Sequence, residues 1–280
     1  PKWARPVFGV VVSSAVAGLA TAPVAAAHFN TIAHYGLIAN LVSVPLMGGL
    51  GIPAAVFALV LAPLGLEVVG LWMMGLGLRW ILWVSQTVAE WDGARGYVIS
   101  PGPWVLPLLV LGFLTVVLWQ GRGRWLGVPL MAGAFVLWQG ATRPEVLIAE
   151  NGTLVGVMTA EGRALSKQKG AGFVARNWLE NDGEGCSQTW AAGRWTHGGS
   201  VQLSCKRARA KMQDCREGQI SVASVPADAL KAQGCRVVDP VTLRETGALA
   251  LSADKDGWQI ISARDRAGVR PWTHWPKDAR

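Results

Sequence analysis

Charged residues are scarce in the first half of this chain of 280 residues. Residues 1–140 contain 6 of the 26 lysines and arginines and 3 of the 18 aspartates and glutamates. This scarcity excludes a water-soluble first half and indicates a membrane region. The remaining charges lie in residues 141–280, which can form a soluble domain with its own core. We therefore expect an α-helical multi-pass membrane bundle at residues 1–141, followed by a soluble α/β domain at residues 142–280.

Several motifs of enzymes are also missing from the sequence. There is no G-x-x-x-x-G-K-[ST] loop, so the chain does not hydrolyse nucleotide by that route. No Gly-x-Ser-x-Gly elbow supports a serine hydrolase. No Cys-x-x-Cys occurs, and His197 is the one histidine close in sequence to the cysteines, which argues against a zinc site. We expect no catalytic residue, no metal ion and no cofactor.

Cysteine is rare, and the four cysteines all lie in the second half. An even count there fits two disulfides in an oxidising compartment such as a bacterial periplasm. Four reduced, buried thiols are the alternative. Four cysteines allow three pairings, of which we predict Cys215–Cys235, at the two ends of one strand–loop passage, and Cys186–Cys205.

Five apolar stretches predict about five membrane spans, because about 20 apolar residues cross a bilayer as a helix. The second stretch is uncharged and contains Pro45, Pro53 and several glycines. Proline removes a helix hydrogen bond, so we expect an interrupted or re-entrant helix there. The five stretches are residues 7–27, 37–66, 68–89, 103–119 and 126–138.

Loop charges predict the orientation of these spans. Lys2 and Arg5 precede the first span, and Arg122 and Arg124 lie between the last two. The positive-inside rule places both positions in the cytoplasm. Residues 28–36, the loop at 90–101 and the α/β domain are then expected outside, in the periplasm.

A polar, aromatic segment separates the first two spans. Its notable residues, with those that follow it, are His28, Phe29, Asn30, Tyr35, Gly36, Leu37, Ala39, Asn40 and Pro45. They resemble the His-Phe-Asn, Tyr-Gly-Leu, Ala-Asn and Pro pattern that the ComEC family of competence proteins has at this spacing.

The resemblance implies part of a cell inner membrane channel that carries single-stranded DNA into the cytoplasm during natural transformation. Since the chain begins at Pro1 rather than Met, we expect a fragment, a processed product or an incomplete gene model. The resemblance implies the C-terminal part of such a protein. The implied partners are single-stranded DNA, the missing N-terminal part, a periplasmic DNA receptor, a cytoplasmic ATPase and membrane lipid.

The motif side chains suit contact with DNA. Phe29 and Tyr35 can stack on the bases of a single strand. On a helix running from about residue 30, Gly36 and Asn40 share a face, and Asn40 offers amide hydrogen bonds inside the bundle. The alternative is that the segment pins a helix at the headgroup boundary. The candidates for the DNA path or the pore lining are His28, Phe29, Asn30, Tyr35, Asn40, Pro45 and Arg79.

Arg79 lies near the middle of the third predicted span. An unpaired charge there costs roughly 3 kcal/mol on insertion scales, so the side chain must face protein or water. Two interpretations stay open: Arg79 contacts DNA phosphates as they pass, or it is paired within the bundle.

Short alternating runs predict the α/β domain. Residues 145–149 and 154–158 flank Asn151-Gly152 and predict a β-hairpin. Further strands are expected at residues 189–195, 200–204, 219–222, 236–238, 248–251 and 258–263. Helices are expected at residues 171–180, 208–215, 226–232 and 240–245.

The order of these elements resembles the metallo-β-lactamase-like domain at the C-terminus of many ComEC proteins. A metal-dependent hydrolase of that fold needs a His-x-His-x-Asp-His cluster. The domain has His197 and His274 alone, outside any such cluster. We therefore expect a degenerate fold without its metals. Arg270, Pro271 and Trp272 match an Arg-Pro-Trp element of divergent alphaproteobacterial tails.

One basic run stands out in the α/β domain. It either contacts phosphates, in which case binding falls steeply with salt, or forms a solvated helix face. Its members are Lys206, Arg207, Arg209 and Lys211.

Two other functions remain open. The first is a membrane-anchored nuclease that degrades one strand as the other enters. The second is a small-molecule transporter whose broken helix at residues 45–53 forms the substrate site.

Overall fold

The computed structural model describes residues 4–195, 201–204, 220–226, 236–254, 257–268 and 270. The chain divides into two compact units, Pro1–Gly140 and Ala141–Arg280. We call the first the helical unit and the second the mixed unit.

The predicted apolar stretches form the helices of the helical unit. The long uncharged runs satisfy their backbone hydrogen bonds internally, which an apolar environment requires. Between residues 4 and 140 the structure has six α-helices: α1 Ala4–Phe29, α2 Gly36–Leu46, α3 Ile52–Leu61, α4 Glu67–Ala89, α5 Val105–Leu118 and α6 Gly127–Gln139.

Three helical segments of the described chain are long and apolar enough to cross a membrane: Phe8–Phe29, Gly36–Leu64 and Glu67–Ala89. Between 11% and 17% of their most apolar windows is buried inside the protein, so most of their apolar surface needs other apolar surroundings, such as lipid. α5 and α6 have 14 and 13 residues, fewer than the roughly 20 that a span needs. A helical first half with three candidate membrane spans is confirmed, and the fourth and fifth spans stay predictions.

The second apolar stretch is not broken in the way the sequence predicts. α2 and α3 are joined by a π-helical turn, Met47–Gly51, within one helical segment of 29 residues. Pro45 lies in the last turn of α2, where it removes one backbone donor. A π-helical turn absorbs such a defect without ending the helix. Instead of the interrupted or re-entrant helix that we expected, the structure has a continuous helix with a local π-helical widening.

Small residues bring α3 and α4 into close contact. Ala54 and Ala58 are buried, and so is Gly70 on α4. A Cβ atom at Gly70 would lie 2.5 Å from the backbone nitrogen of Ala58, so only glycine fits there. Small residues at this kind of contact let membrane helices approach closely and pack by van der Waals contact.

Replacing Gly70 with valine is expected to separate α3 from α4 and destabilise the helical unit, since overpacking costs about 1–3 kcal/mol. Gly75 lies on the same helix, and a Cβ atom there would have no other atom within 4 Å, so Gly75→Val is the matched control. The check is the thermal melting temperature of the full chain in detergent. Equal melting temperatures for the two variants would contradict the packing argument.

The mixed unit contains two sheets in its described part. One is antiparallel, in the order β10-β9-β3-β4-β5, and the other is parallel, in the order β6-β7-β8. The strands are β3 Val146–Ile148, β4 Val155–Thr159, β5 Gly162–Leu165, β6 Val201–Ser204, β7 Ile220–Ala223, β8 Val237–Val238, β9 Leu249–Asp254 and β10 Gly257–Ser262.

The two sheets share one hydrophobic core. Val146 and Ile148 of the antiparallel sheet join Ile220 and Val222 of the parallel sheet in a single buried cluster. A second cluster joins Leu165 to two helices that follow β5 in the chain. β3 is buried at every position because both faces of its sheet are covered. The helices of the unit are α7 Gly172–Asn181, α8 Gln188–Gly193, α9 Pro240–Thr246 and α10 Ala263–Ala267.

A mixed α/β composition is confirmed for this unit, and so is the predicted hairpin of β3 and β4. The strand predicted at residues 189–195 is wrong, because α8 occupies that segment. Its N-terminus is capped by Ser187, whose hydroxyl accepts a hydrogen bond from Trp190 N, and Ala191 turns into the core. The helix predicted at residues 208–215, and nearly all of the one at 226–232, lie outside the described residues.

Candidate functional site

The polar motif folds into a two-stranded ribbon with a loop distant in sequence. β1 Thr31–Ala33 pairs antiparallel with β2 Arg95–Tyr97. α1 ends just before β1, α2 begins just after it, and β2 follows α4. We use the name ribbon for residues 28–36 together with residues 91–98. Both segments were predicted on the same side of the membrane, and the structure brings them together.

Asn30 makes the turn from α1 into the ribbon. Its φ of 56° is left-handed, a conformation that asparagine tolerates better than most residues, and its N–H donates to Ala26 O at 2.9 Å. Asn30 O accepts from Val98 N at 3.0 Å, and Asn30 Nδ2 donates to Val98 O at 3.4 Å. Because Asn30 is 5% exposed, its observed contacts shape the ribbon.

His34 and Tyr35 hold the second half of the motif against the opposite loop. His34 Nδ1–H donates to the carbonyl of Gly93 at 2.7 Å, and the His34 ring packs on Gly96, where a Cβ atom would lie 2.6 Å from Nε2. Tyr35 donates to Asp92 O at 3.3 Å. Its ring meets Trp91 edge to face, with 5.4 Å between the ring centroids.

The remaining motif side chains are free to meet a ligand. Phe29 is 71% exposed, and His28 is also exposed. Asn40 and Pro45 lie on exposed positions of α2. One expectation is corrected here: the helix predicted from about residue 30 begins at Gly36. The amide hydrogen bonds expected of Asn40 stay a prediction.

Arg79 is exposed on α4, and its Nε donates to Gly75 O one turn earlier at 3.4 Å. Within the described part of the chain it forms no ion pair. Contact with DNA phosphates stays a prediction for this residue, as does pairing with a carboxylate elsewhere.

An apolar cavity of about 420 Å³ lies beside the ribbon. Trp138 Nε1–H donates to Ile99 O at 2.7 Å, and the Trp138 ring stacks on Phe135. The sequence placed Trp138 near a span end but did not connect it with the motif. The cavity is lined by Ala22, Pro23, Ala26, Ile32, Val98, Ile99, Phe135, Trp138 and Gln139.

Most of the site residues predicted in the mixed unit lie outside the part of the chain that the structure describes. The basic run Lys206, Arg207, Arg209 and Lys211 lies outside the described residues, as do Cys205, Cys215 and Cys235. Cys186 is a free thiol, so the predicted Cys186–Cys205 disulfide finds no support, and Cys215–Cys235 stays a prediction. In the described ranges, no group of three or more His, Cys, Asp and Glu is placed to hold a metal ion.

Cys186 is expected to react slowly with alkylating reagents. Partial burial raises the pKa of its thiol, and the hydrogen bond from Sγ–H to Glu184 at 3.4 Å and the charge of Glu184 act in the same direction. A raised pKa keeps the thiol protonated to higher pH. The pH at which the alkylation rate reaches half of its maximum should therefore lie above that of a small free thiol. Peptide mapping after timed iodoacetamide labelling of the full chain measures this rate. A half-maximal pH equal to that of a small free thiol would contradict the raised pKa. An unlabelled Cys186 found paired to Cys205 would instead support the predicted disulfide.

Comparison with known proteins gives one match. Residues 1–123 match the family model described as "Competence protein". The matched region contains the whole ribbon and all three candidate membrane spans. With the apolar helices, the match supports a membrane protein related to competence proteins and a general role in DNA uptake. No curated protein and no solved structure matches the chain.

Proposed function

We propose that this chain forms part of an inner-membrane channel of the ComEC type that moves single-stranded DNA into the cytoplasm during natural transformation. The observation that carries the proposal is the ribbon. It gathers the polar and aromatic motif at one end of the candidate spans, inside the region that matches the competence family.

In this proposal the ribbon forms the outer mouth of the path. Buried Asn30 and the His34 and Tyr35 contacts hold its backbone in place, while exposed Phe29 and His28 face the incoming strand. An exposed aromatic ring can stack on a base of any identity, which suits transport of DNA regardless of sequence. Arg79 then offers a positive charge further along α4.

The mixed unit takes the periplasmic side in this proposal. The charges of Lys2, Arg5, Arg122 and Arg124 favour a cytoplasmic N-terminal end under the positive-inside rule. The mixed unit has two sheets with a shared core and with helices packed against them, and this arrangement supports a degenerate metallo-β-lactamase-like fold. A periplasmic DNA receptor, a cytoplasmic ATPase and lipid complete the proposed assembly.

Deleting the intact gene tests the proposal when two steps of uptake are scored separately. Labelled DNA should still reach the periplasm, and DNA should no longer reach the cytoplasm. Loss of both steps would point to a receptor, and loss of neither would remove the protein from DNA uptake.

A small-molecule transporter is a second candidate, favoured by the π-helical turn Met47–Gly51. Such turns frequently lie at functional sites, and this one follows Pro45 in a candidate span. Asn40→Ala discriminates the two: loss of a metabolite's transport with normal DNA uptake would select the transporter.

A further inference from the structure

The mixed unit has an exposed tryptophan, and an arginine side chain covers one face of its ring. Trp190 on α8 is 59% exposed, and the guanidinium carbon of Arg194 lies 4.1 Å from its ring centroid. Arg194 is fixed from the other side: Nη1 donates to Glu184 Oε2 at 2.5 Å and to Arg163 O at 3.2 Å. The pair is therefore built into the fold, and the second face of the indole is open to solvent.

A cleft of about 580 Å³ lies at this tryptophan. The side chain of Arg194 is 10% exposed, and its Nε has no hydrogen-bond partner among the described residues. Arg194 is one of the residues that line the cleft, so its guanidinium contributes a positive charge there. The wall combines this charge with an aromatic ring, two hydroxyls and a carboxylate: Glu161, Ser187, Thr189, Trp190, Gly193 and Arg194.

A lysine-bearing loop is tied to the same helix. Gln188 Nε2 donates to the carbonyls of Lys167 at 3.1 Å and Gly170 at 2.7 Å. Thr189 Oγ1 donates to Gln168 O at 3.4 Å. These bonds run from the residues just before Trp190, so they hold the backbone of residues 167–170, which includes both lysines, next to the helix that carries Trp190.

We propose that this cleft binds a base of single-stranded DNA on the open face of Trp190. Stacking on an aromatic ring needs an unpaired base, which selects a single strand over a duplex. The Glu161 carboxylate repels phosphates and can accept a hydrogen bond from the amino group of cytosine or adenine, so the base enters the cleft. The phosphates then lie on the side of Lys167 and Lys169.

This surface deepens the proposed function and rests on it, because it gives the mixed unit a contact with the transported strand. It differs from the basic run at residues 206–211, and it is made entirely of described residues.

Binding of a fluorescent oligodeoxycytidine to the full chain in detergent tests the inference by anisotropy. Trp190→Ala should weaken binding by about 5- to 150-fold, since one stacked base contributes about 1–3 kcal/mol and 1.4 kcal/mol is tenfold. Trp190→Phe should retain most of the affinity. Phe173→Ala is the matched control, because Phe173 is 78% exposed in the same unit but does not line the cleft.

The lysines are tested by salt dependence. Lys167→Gln with Lys169→Gln should reduce the slope of log K against log salt by roughly 1.4, at about 0.7 per contact to a single strand. Arg244→Gln with Arg266→Gln removes the same charge from two exposed positions in other helices, and should leave the slope nearer the wild-type value.

Equal binding by Trp190→Ala and Phe173→Ala would overturn the inference, and so would equal binding of a duplex. These failures are distinguishable from failure of the channel. Unchanged binding by Trp190→Ala, with cytoplasmic entry lost on gene deletion, leaves the channel standing without this surface. Weakened binding with normal entry leaves the surface standing without the channel.

Discussion

Replacing Asp182 with asparagine is expected to destabilise the mixed unit by about 3–5 kcal/mol, the cost of leaving a buried charge without its partner. The side chain of Asp182 is 1% exposed and accepts from two arginines. Arg143 Nε lies 2.8 Å from Oδ1, and the fully buried Arg163 bonds to both carboxylate oxygens. Asparagine preserves the size of the side chain but not the charge.

The surroundings of Arg163 explain why its side chain cannot move into water when the Asp182 charge is removed. Nη2 also donates to Pro144 O at 2.9 Å, and a Cβ atom at Gly156 would lie 2.8 Å from Arg163 Cδ. The guanidinium is therefore enclosed by backbone and cannot swing into water. Removing Arg163 and Asp182 together, as in Arg163→Met with Asp182→Leu, is expected to cost less than Asp182→Asn alone. The fully buried arginine charge is then removed with its partner, and the arginine left unpaired is Arg143, whose side chain is 20% exposed.

An exposed ion pair in the same unit provides the control. Arg176 and Glu180 lie one turn apart on α7 with 3.9 Å between N and O, and the arginine side chain is 74% exposed. Arg176→Ala is expected to cost no more than about 0.5 kcal/mol. Pulse proteolysis of the full chain in urea, scored for cleavage within residues 141–280, gives both values. Equal urea midpoints for Arg176→Ala and Asp182→Asn would contradict the burial argument.

The positions of the long helices could be predicted from the sequence, whereas the strand pairing in the ribbon could not. Long apolar runs have no alternative to helices in a membrane, so the positions of α1 and α4 could be predicted from hydropathy. The pairing of Thr31–Ala33 with Arg95–Tyr97 could not, because three-residue strands show too little alternation to be recognised. Loop orientation did place both segments on one side, which is the available signal for their contact.

The mixed unit shows where local patterns mislead. Thr189 and Trp190 favour a strand by propensity, yet a capped helix forms because Ala191 and its neighbours pack under β5. The burial of Arg163 was also missed, since arginine is expected at the surface unless it is paired. Its partner Asp182 is close in space but lies beyond a strand and a helix in the sequence, and no pattern in the sequence connects the two.

The contact between His34 and Gly96 is expected to decide whether the ribbon works in DNA uptake. Gly96→Val should push the His34 ring away and break its hydrogen bond to Gly93, since glycine alone leaves room for the ring. Overpacking costs about 1–3 kcal/mol, and 1.4 kcal/mol is tenfold in population, so delivery of DNA to the cytoplasm should fall by about 5- to 150-fold. DNA should still reach the periplasm.

His34→Ala removes the same contact from the other side, and combining the two changes sharpens the test. If Gly96→Val acts through the displaced ring, then His34→Ala vacates the space that valine needs, and the double variant should be no worse than the worse single one. Gly102→Val is the matched control, because no atom lies within 4 Å of a Cβ there. Protein levels in the membrane must be equal across the series. Normal delivery of DNA to the cytoplasm in both Gly96→Val and His34→Ala would show that the ribbon has only a structural role. The channel proposal would then lose its main support.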